Sequence, residues 1–519
     1  MKRVALLALV CVASLAAAAD AQADHWAPGT CGLPPALPLH VEYAEGAVSA
    51  RILYEIFGPA RPPLVLATSG RNVPGRLRRL GAHTIFWEMK IQHLLGTTTA
   101  PGDPATIDAA ADRLYQRAVN ATACATPSIA LNELNGAWLS TPWSPTNTQY
   151  RANTLHLLRR LHSRGAHPYL MVTTSPPPFT ATPEAADWWR QAAAVSDLVL
   201  QVHFDGRFAY RRGPIVGSRL RRMKMRRVLD QFTGIGVPPQ RLGLLHGFQS
   251  GRGFGGREGL PLARWLRVVK WEVLAAKQVI AERQEDGAQI GSDWSWGWGD
   301  FPSLSRVDPD KHVTACVYLW ARDPRLCDGP RRAAAYGEPF NTSLTEGQIV
   351  LAPGVHCSVG GDGATIASET VRALADVNPA GRGPIGRPAA LGALFSWLID
   401  AGHAAVRAAD VAAAERAVIE QRFAGQGADY ERALAAARLP LPLARALLAD
   451  QLRRRRIARK LQARRTYPSW LSEKEAQALR TTVCLRDELP QLGLGDLTAD
   501  LPFLRLPPGV GGARPGRTQ

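Results

Sequence analysis

Short apolar runs alternate with longer amphipathic stretches from Pro62 to Gly299. The apolar runs are continuous, which is typical of parallel strands that are buried on both faces. Each run ends in polar residues or glycine before a stretch of helical period begins. The runs lie at Leu64–Ala67, Thr84–Trp87, Ile129–Leu131, Tyr169–Val172, Leu198–Val202, Leu242–Leu245 and Gln289–Asp293.

The number of these units predicts a closed barrel. With a further strand within Ala50–Phe57 as the first, the chain has about eight strand-and-helix units, as in a (β/α)8 barrel. The alternative is an open doubly wound sheet, but no G-x-G-x-x-G motif follows the first strand. We therefore expect an α/β fold with a TIM-like barrel over residues 50–325. The predicted helices are Ile107–Val119, Thr148–Ser163, Pro183–Ala194, Gly217–Phe232 and Leu262–Glu285.

The pattern changes toward the end of the barrel. Val313–Trp320 predicts one more strand, and residues 326–388 are irregular, ending in a Gly/Pro-rich linker at Asn378–Pro388. Residues 389–470 are rich in Ala, Leu and Arg with a helical period, which predicts a small all-α domain. Residues 471–519 are expected to form a C-terminal tail.

The first 23 residues have the features of a secretory signal peptide. A basic start, Met1–Arg3, precedes an apolar run, and Ala21–Ala23 provides a small-residue cleavage site. Residues 24–49 would then be an N-terminal extension of a secreted, extracytoplasmic protein. No later apolar run approaches the about 18 residues that a transmembrane segment needs.

The cysteines agree with export. The chain has seven, and removal of Cys11 would leave six. An even number in an exported protein favours disulfides, with free buried thiols as the alternative. Cys316 and Cys327 are close enough in sequence to close a small loop. None has C-x-x-C spacing, so we predict no zinc site and no cofactor.

The net charge of +18 and the isoelectric point near 10.1 suggest an anionic partner. A basic exported protein can adhere to cell-wall polymer, lipid or nucleic acid through its overall field. Much of the excess is Arg in an Arg- and Ala-rich sequence, and the basic-aromatic interleaving of single-strand binders is missing. We expect a carbohydrate or cell-wall partner and no specific nucleic acid, and the oligomeric state stays open.

The strongest sign of chemistry is Ser128–Gly136, a short apolar strand that ends in Asn132 and Glu133. A parallel strand delivers side chains at such a position to the rim of a barrel, where catalytic groups are built. An Asn-Glu pair at the end of the fourth strand resembles the acid/base signature of retaining glycoside hydrolases. The resemblance implies that Glu133 protonates the glycosidic oxygen and that Asn132 holds a sugar hydroxyl.

The Trp-rich segment Asp293–Gly299 extends this resemblance to the eighth strand. Retaining glycoside hydrolases with a (β/α)8 barrel often have a Trp there, which forms the floor of the sugar site. Because Trp294 and Trp296 are two residues apart, they point the same way along a strand. The resemblance implies that they stack on sugar rings, and plain packing is the alternative.

The seventh strand departs from the glycosidase pattern. Those glycosidases have their nucleophilic Glu at the end of the seventh strand, whereas this chain has Leu245–Gln249 there. Glu258 lies too many residues after the strand to take that position. Hydrolysis through two carboxyl groups needs a second one about 5 to 9.5 Å from the first. The candidates at predicted strand ends are Glu88, Asp205 and Asp293, of which Asp293 is the first choice because its neighbours are aromatic.

Other polar residues at predicted strand ends are candidate substrate contacts. Each also has a structural interpretation: Lys90 could form an ion pair with Glu133, Asp293 could cap a turn, and the histidines could belong to the core. The candidate contacts, besides the carboxylates, are Lys90, His203, His246 and Gln249.

Two charged or flexible segments receive structural interpretations. The glycine-rich loop Gly251–Gly259 could hold a phosphate, but it lacks the Lys-Ser/Thr ending of a nucleotide loop, which favours a flexible rim loop. The basic helix Ser218–Arg227 carries six Lys or Arg residues and is predicted to be a solvated face.

The helical region offers a different function. Asp410–Glu420 and Tyr430–Leu439, within residues 389–465, resemble the N-terminal helical region of periplasmic peptidyl-prolyl isomerases and chaperones. The resemblance implies an interaction module without isomerase activity, because no parvulin domain follows. Three functions therefore stay open: a glycoside hydrolase-like enzyme, a non-catalytic barrel that binds glycan or cell wall, and a chaperone-like protein.

Overall fold

The computed structural model divides the chain into two compact units, residues 1–347 and 348–519. The residues described are 39–43, 64–68, 84–134, 144–175, 177–202, 206–249, 257, 259–298, 309–334, 340–360, 363–381, 383–461, 465–485 and 501–510.

Parallel strands form the centre of the first unit, as the continuous apolar runs predict. They pair in chain order, and the eighth strand also pairs with the first, which closes the sheet into a barrel. The predicted strand at Ala50–Phe57 lies outside the described residues, yet the Asn-Glu strand is still the fourth. The strands are β1 (Leu39–Tyr43), β2 (Leu64–Thr68), β3 (Thr84–Lys90), β4 (Ser128–Asn132), β5 (His167–Thr173), β6 (Asp197–Gln201), β7 (Leu242–Gln249) and β8 (Ser292–Trp298).

Helices follow most of these strands and cover the barrel. All five predicted helices are present, four with nearly the expected bounds, whereas the helix predicted at Gly217–Phe232 begins at Gly206 and is interrupted at Gly213. The helices are α1 (Gln92–Leu95), α2 (Ile107–Thr122), α3 (Thr148–Ser163), α4 (Pro183–Val195), α5 (Gly206–Thr233), α6 (Leu262–Glu285), α7 (Pro309–Arg322) and α8 (Gly329–Ala334). Among the described residues, no helix is long and apolar enough to span a membrane.

The strand predicted at Val313–Trp320 is wrong, because these residues lie in α7. Every side chain in that stretch is buried, and Trp320, the most accessible, is 6 % exposed. A helix that is buried all round has a continuous apolar run, which periodicity alone cannot distinguish from a buried strand.

Side chains alternate between the two faces of the barrel strands. Leu198 and Leu200 of β6 belong to the core between the sheet and its helices. On the neighbouring strand β5, Tyr169 faces the opposite way, into the barrel, where its ring lies 5.1 Å from that of Trp294. This alternation decides which candidate residues can reach the barrel interior.

The second unit combines helices with a small antiparallel sheet. Its sheet has the order β10-β9-β11. Asn378 donates its backbone N–H to the carbonyl of Ala437, so Asn378–Pro388 lies within this unit and is not the predicted interdomain linker. The elements are β9 (Val355–Val359), β10 (Ala364–Ala367), α9 (Ser368–Ala375), α10 (Arg387–His403), α11 (Ala408–Arg422), α12 (Gly427–Ala436), α13 (Leu441–Leu461), α14 (Tyr467–Ala478) and β11 (Val483–Cys484).

Side chains of α13 hold part of the predicted tail against this unit. The side chain of Gln451 donates to the carbonyl of Leu504 and accepts from the N–H of Leu506. Arg455 donates to three further carbonyl groups in the same segment. The tail therefore contributes to the fold over residues 501–510.

Disulfides join cysteines in both units. Cys316 pairs with Cys327, as their short separation predicts, and Cys357 pairs with Cys484. Cys124 is also disulfide-bonded. All five cysteines in the described part of the chain are thus oxidised, as in proteins that fold outside the cytoplasm.

Candidate active site at the barrel mouth

The ends of β3 and β4 present polar side chains to the barrel interior. Lys90 lies opposite Asn132, and Glu88 lies opposite Ala130. The residues between them, such as Leu131, pack outward against the helices. Because side chains alternate along a strand, Glu88, Lys90 and Asn132 face inward at the carboxyl end of the barrel.

Glu133 leaves β4 in a left-handed conformation, with φ of 56°. Its N–H donates to the side-chain oxygen of Asn132 at 2.9 Å. The next residue, Leu134, is fully buried, and its carbonyl accepts a hydrogen bond from the hydroxyl of Tyr150. A non-glycine residue in this region costs about 1–3 kcal/mol and recurs at functional sites. The turn therefore holds Glu133 in place at the barrel mouth.

Lys90 and Glu133 form an ion pair, with 2.9 Å between Nζ and Oε1. The two side chains are 45 % and 22 % exposed, respectively. The pair is the structural contact anticipated from the sequence, and it leaves the carboxylate accessible to a ligand.

Glu88 lies deeper in the barrel and is only 4 % exposed. Its position opposite Ala130 places its Cα on the order of 10 Å from that of Glu133, from the spacing of residues along and between strands. Glu88 is therefore an inward-facing carboxylate on the strand next to the one that ends at Glu133.

The structure contradicts the assignment of Asp293 as the second catalytic carboxylate. Asp293 is the second residue of β8, at the end opposite the mouth, and it is fully buried. Its oxygens lie 2.9 Å from Nε2 of His246 and 3.3 Å from Arg322. Burial opposes ionisation, but the positive charges of Arg322 and His246 keep the pKa of Asp293 below its ordinary value.

His246 is likewise not a substrate contact. It points outward from β7, is fully buried, and lies between Asp293 and Glu272, whose Oε1 is 3.5 Å from Nδ1. Burial disfavours the imidazolium, but the two carboxylates outweigh it and raise the pKa of His246 to about 9. Together with Arg221, which lies 3.4 Å from Glu272, and Arg322, these residues form a buried ion cluster that joins helices to β7 and β8.

Trp294 and Trp296 of β8 face inward, but Trp294 is not a sugar platform. It is fully buried against Tyr169 and fills the barrel interior. Trp296 lies two residues further along β8, nearer the mouth, and is 6 % exposed. Of the two, Trp296 is the better placed to reach a ligand.

Polar residues at the ends of β5 and β6 were missed from the sequence. The hydroxyl of Thr173 lies 3.4 Å from the side-chain oxygen of Gln201, and Thr174 donates to the carbonyl of Gln201. The sequence does contain a signal for this site, because Gln201 is a polar residue near the end of an otherwise apolar run.

Several candidates stay predictions. His203, Asp205 and Glu258 lie outside the described residues, as do most of the glycine-rich loop and the side chain of Gln249. Within the described ranges, no group of three or more His, Cys, Asp or Glu residues is arranged to hold a metal ion.

Comparison with known proteins finds only weak structural similarities. No protein-family model and no curated protein matches the sequence. A solved endo-β-N-acetylglucosaminidase from Cordyceps militaris is 11 % identical, with 54 % of this chain and 90 % of that chain covered and a TM-score of 0.31. The spore cortex-lytic enzyme SleL from Bacillus megaterium is 10 % identical, with 54 % and 73 % covered and a TM-score of 0.32. A D-allulose 3-epimerase from Methylomonas is 14 % identical, with 57 % and 100 % covered and a TM-score of 0.32.

Proposed function

We propose that the first unit is an extracytoplasmic glycoside hydrolase-like barrel with Glu133 as general acid/base. The observation that carries this proposal is the accessible Glu133 carboxylate, held at the end of the fourth strand by a left-handed turn and oriented by Lys90 at 2.9 Å. Asn132 would hold a sugar hydroxyl beside it, as the resemblance to glycosidases implies.

Glu88 replaces Asp293 as the second carboxylate in this proposal. Glu88 and Glu133 would form the inverting arrangement, in which the carboxyl groups lie about 6.5–9.5 Å apart, and not the retaining one, in which they lie about 5 Å apart. Glu88 would activate water on one face of the sugar while Glu133 protonates the leaving oxygen. The absence of Glu from the described part of β7 agrees with this departure from the retaining pattern.

The experiment is hydrolysis of a panel of bacterial and plant glycans by the full-length protein. Glu133→Gln and Glu88→Gln each keep the shape of the side chain but cannot exchange a proton, so each should lower the rate about 10²-fold or more. Glu285→Gln is the matched control, because Glu285 is exposed at the end of α6. Inversion of the anomeric carbon, followed by NMR, would support the role of Glu88.

A non-catalytic glycan-binding barrel is the second candidate, favoured by the Lys90–Glu133 ion pair and the missing strand-seven Glu. It predicts retention of a glycan or cell-wall polymer that Glu133→Gln leaves unchanged, with no hydrolysis. The chaperone-like function of residues 389–470 stays a prediction, which binding of unfolded peptide by the full chain would test.

A further inference from the structure

A second concave site lies on the outer side of β3, away from the barrel mouth. It is a cavity of about 330 Å³ between β3, α1 and α2. Met89, Leu94 and Leu114, together with Ala110, form the apolar part of its lining, here called the floor, and Thr106 is a polar residue of the same lining. The volume is at the lower end of the range of about 300–1,000 Å³ for small-molecule sites.

The rim of this cavity is cationic. Arg113 and Arg117 are four residues apart on α2, so they lie one above the other on the same face of the helix. His93 of α1 lines the same cavity. Arg113 and Arg117 are exposed, and within the described part of the chain neither makes a hydrogen bond or an ion pair.

The neighbouring face of α2 shows the opposite arrangement. There Asp112 accepts from Arg160 at 2.8 Å and from Arg164 at 3.0 Å, so its charge is compensated within the protein. These contacts hold the pKa of Asp112 below its ordinary value, with the hydrogen bond from Arg160 as the largest cause. The charges of Arg113 and Arg117 are thus left available to a ligand.

We infer that this cavity binds an amphipathic organic carboxylate, with its acid group on Arg113 and Arg117 and its apolar body on Met89, Leu94 and Leu114. The guanidinium fork matches a carboxylate in two parallel hydrogen bonds. The apolar floor disfavours an inorganic anion, which would leave it uncovered, and the small volume suits one short chain better than a polymer. The site is independent of the Glu133 mouth, because its floor lies on the other face of β3.

The test is isothermal titration calorimetry of the full-length protein with octanoate. We expect saturable binding that Arg113→Gln with Arg117→Gln weakens about tenfold or more, since each change removes a charge-assisted contact. Arg159→Gln, an equal loss of charge on the exposed face of α3, should leave the affinity unchanged. Octanol and acetate should each bind about tenfold more weakly, because each lacks one half of the recognition.

Three results would overturn the inference. One is no saturable heat with octanoate, and a second is equal affinity in the Arg113→Gln and Arg117→Gln double variant. The third is acetate binding as well as octanoate, which would show attraction of any anion. Because Glu133→Gln should not alter octanoate binding, failure of this site and failure of the proposed hydrolase activity are distinguishable.

Discussion

Asp293→Asn tests the ion cluster beneath β7 and β8. The substitution keeps the side-chain shape and removes one buried negative charge from between His246 and Arg322, at 2.9 and 3.3 Å. At an effective dielectric constant of about 20, each of these pairs is worth about 5 kcal/mol before the cost of burial. Removing one partner of a buried ion pair costs about 3–5 kcal/mol net, because the remaining charges stay uncompensated. We expect the free energy of unfolding of the barrel to fall by that amount.

The same cluster predicts a pH dependence. The pKa of His246 is raised from 6.5 to about 9 in the folded state. Its protonated form therefore stabilises the barrel fully below about pH 6.5, and this contribution is lost as the pH rises through about 9. The rise in pKa corresponds to about 3 kcal/mol, the same order as the loss from Asp293→Asn.

The assay is urea unfolding read out by pulse proteolysis, with mass spectrometry assigning the surviving fragments to the barrel. Asp187→Asn is the control, because Asp187 and Arg190 form an exposed pair at 3.4 Å that should contribute less than about 1 kcal/mol. A loss below about 1 kcal/mol for Asp293→Asn would refute the reasoning. Loss of hydrolysis without loss of stability would restore the catalytic assignment of Asp293.

Three further predictions concern other parts of the chain. Buried Asp400 and Asp450 lie together, and burial raises the pKa of Asp450 to about 8, so stability should fall from about pH 4 to pH 8. In calorimetry at several pH values, Asp450→Asn should make the stability depend less on pH over this range. An unchanged pH dependence of stability in the variant would contradict the role of Asp450. Glu133→Gly should raise the free energy of unfolding by up to about 1 kcal/mol, measured in urea, because glycine relieves the positive φ, and a clear loss would contradict this. Replacing Cys357 and Cys484 by Ser should cost about 2–5 kcal/mol in the same measurement, and a value near zero would exclude a stabilising role.

The sequence predicted the barrel architecture better than the direction of individual side chains. Continuous apolar runs identify strands such as β5 and β6 because both faces of a parallel strand are buried. The face of β8 on which the Asp293 side chain lies was predicted wrongly, although the geometry of a strand determines it. Neighbouring residues on a strand point to opposite faces, so Asp293 and Trp294 cannot both face a sugar site.

The burial of charged residues in the core could not be predicted from the sequence. The basic segment Ser218–Arg227 was predicted to be solvated, yet Arg219, Arg221 and Arg222 are at most 3 % exposed. A partner for Arg221, Glu272, comes from the next helix, 3.4 Å away in space but distant in the chain. Such compensation depends on tertiary packing, which local charge patterns do not report.

Only part of the candidate site could be predicted from the sequence. Asn132 and Glu133 stood out because a polar pair ends an apolar run, and the structure places them at the mouth with Lys90 and Glu88. The left-handed turn at Glu133 has no local signal, since neither glycine nor asparagine occupies the position.

The ratio of hydrolysis rates of the unmodified protein and Glu133→Gln, on the glycan that is cleaved fastest, tests the central claim most directly. If Glu133 transfers the proton at the barrel mouth, the ratio should be about 10²–10⁴ while the free energy of unfolding stays the same. A ratio near one on a glycan that is hydrolysed would show that the carboxylate takes no part in the chemistry.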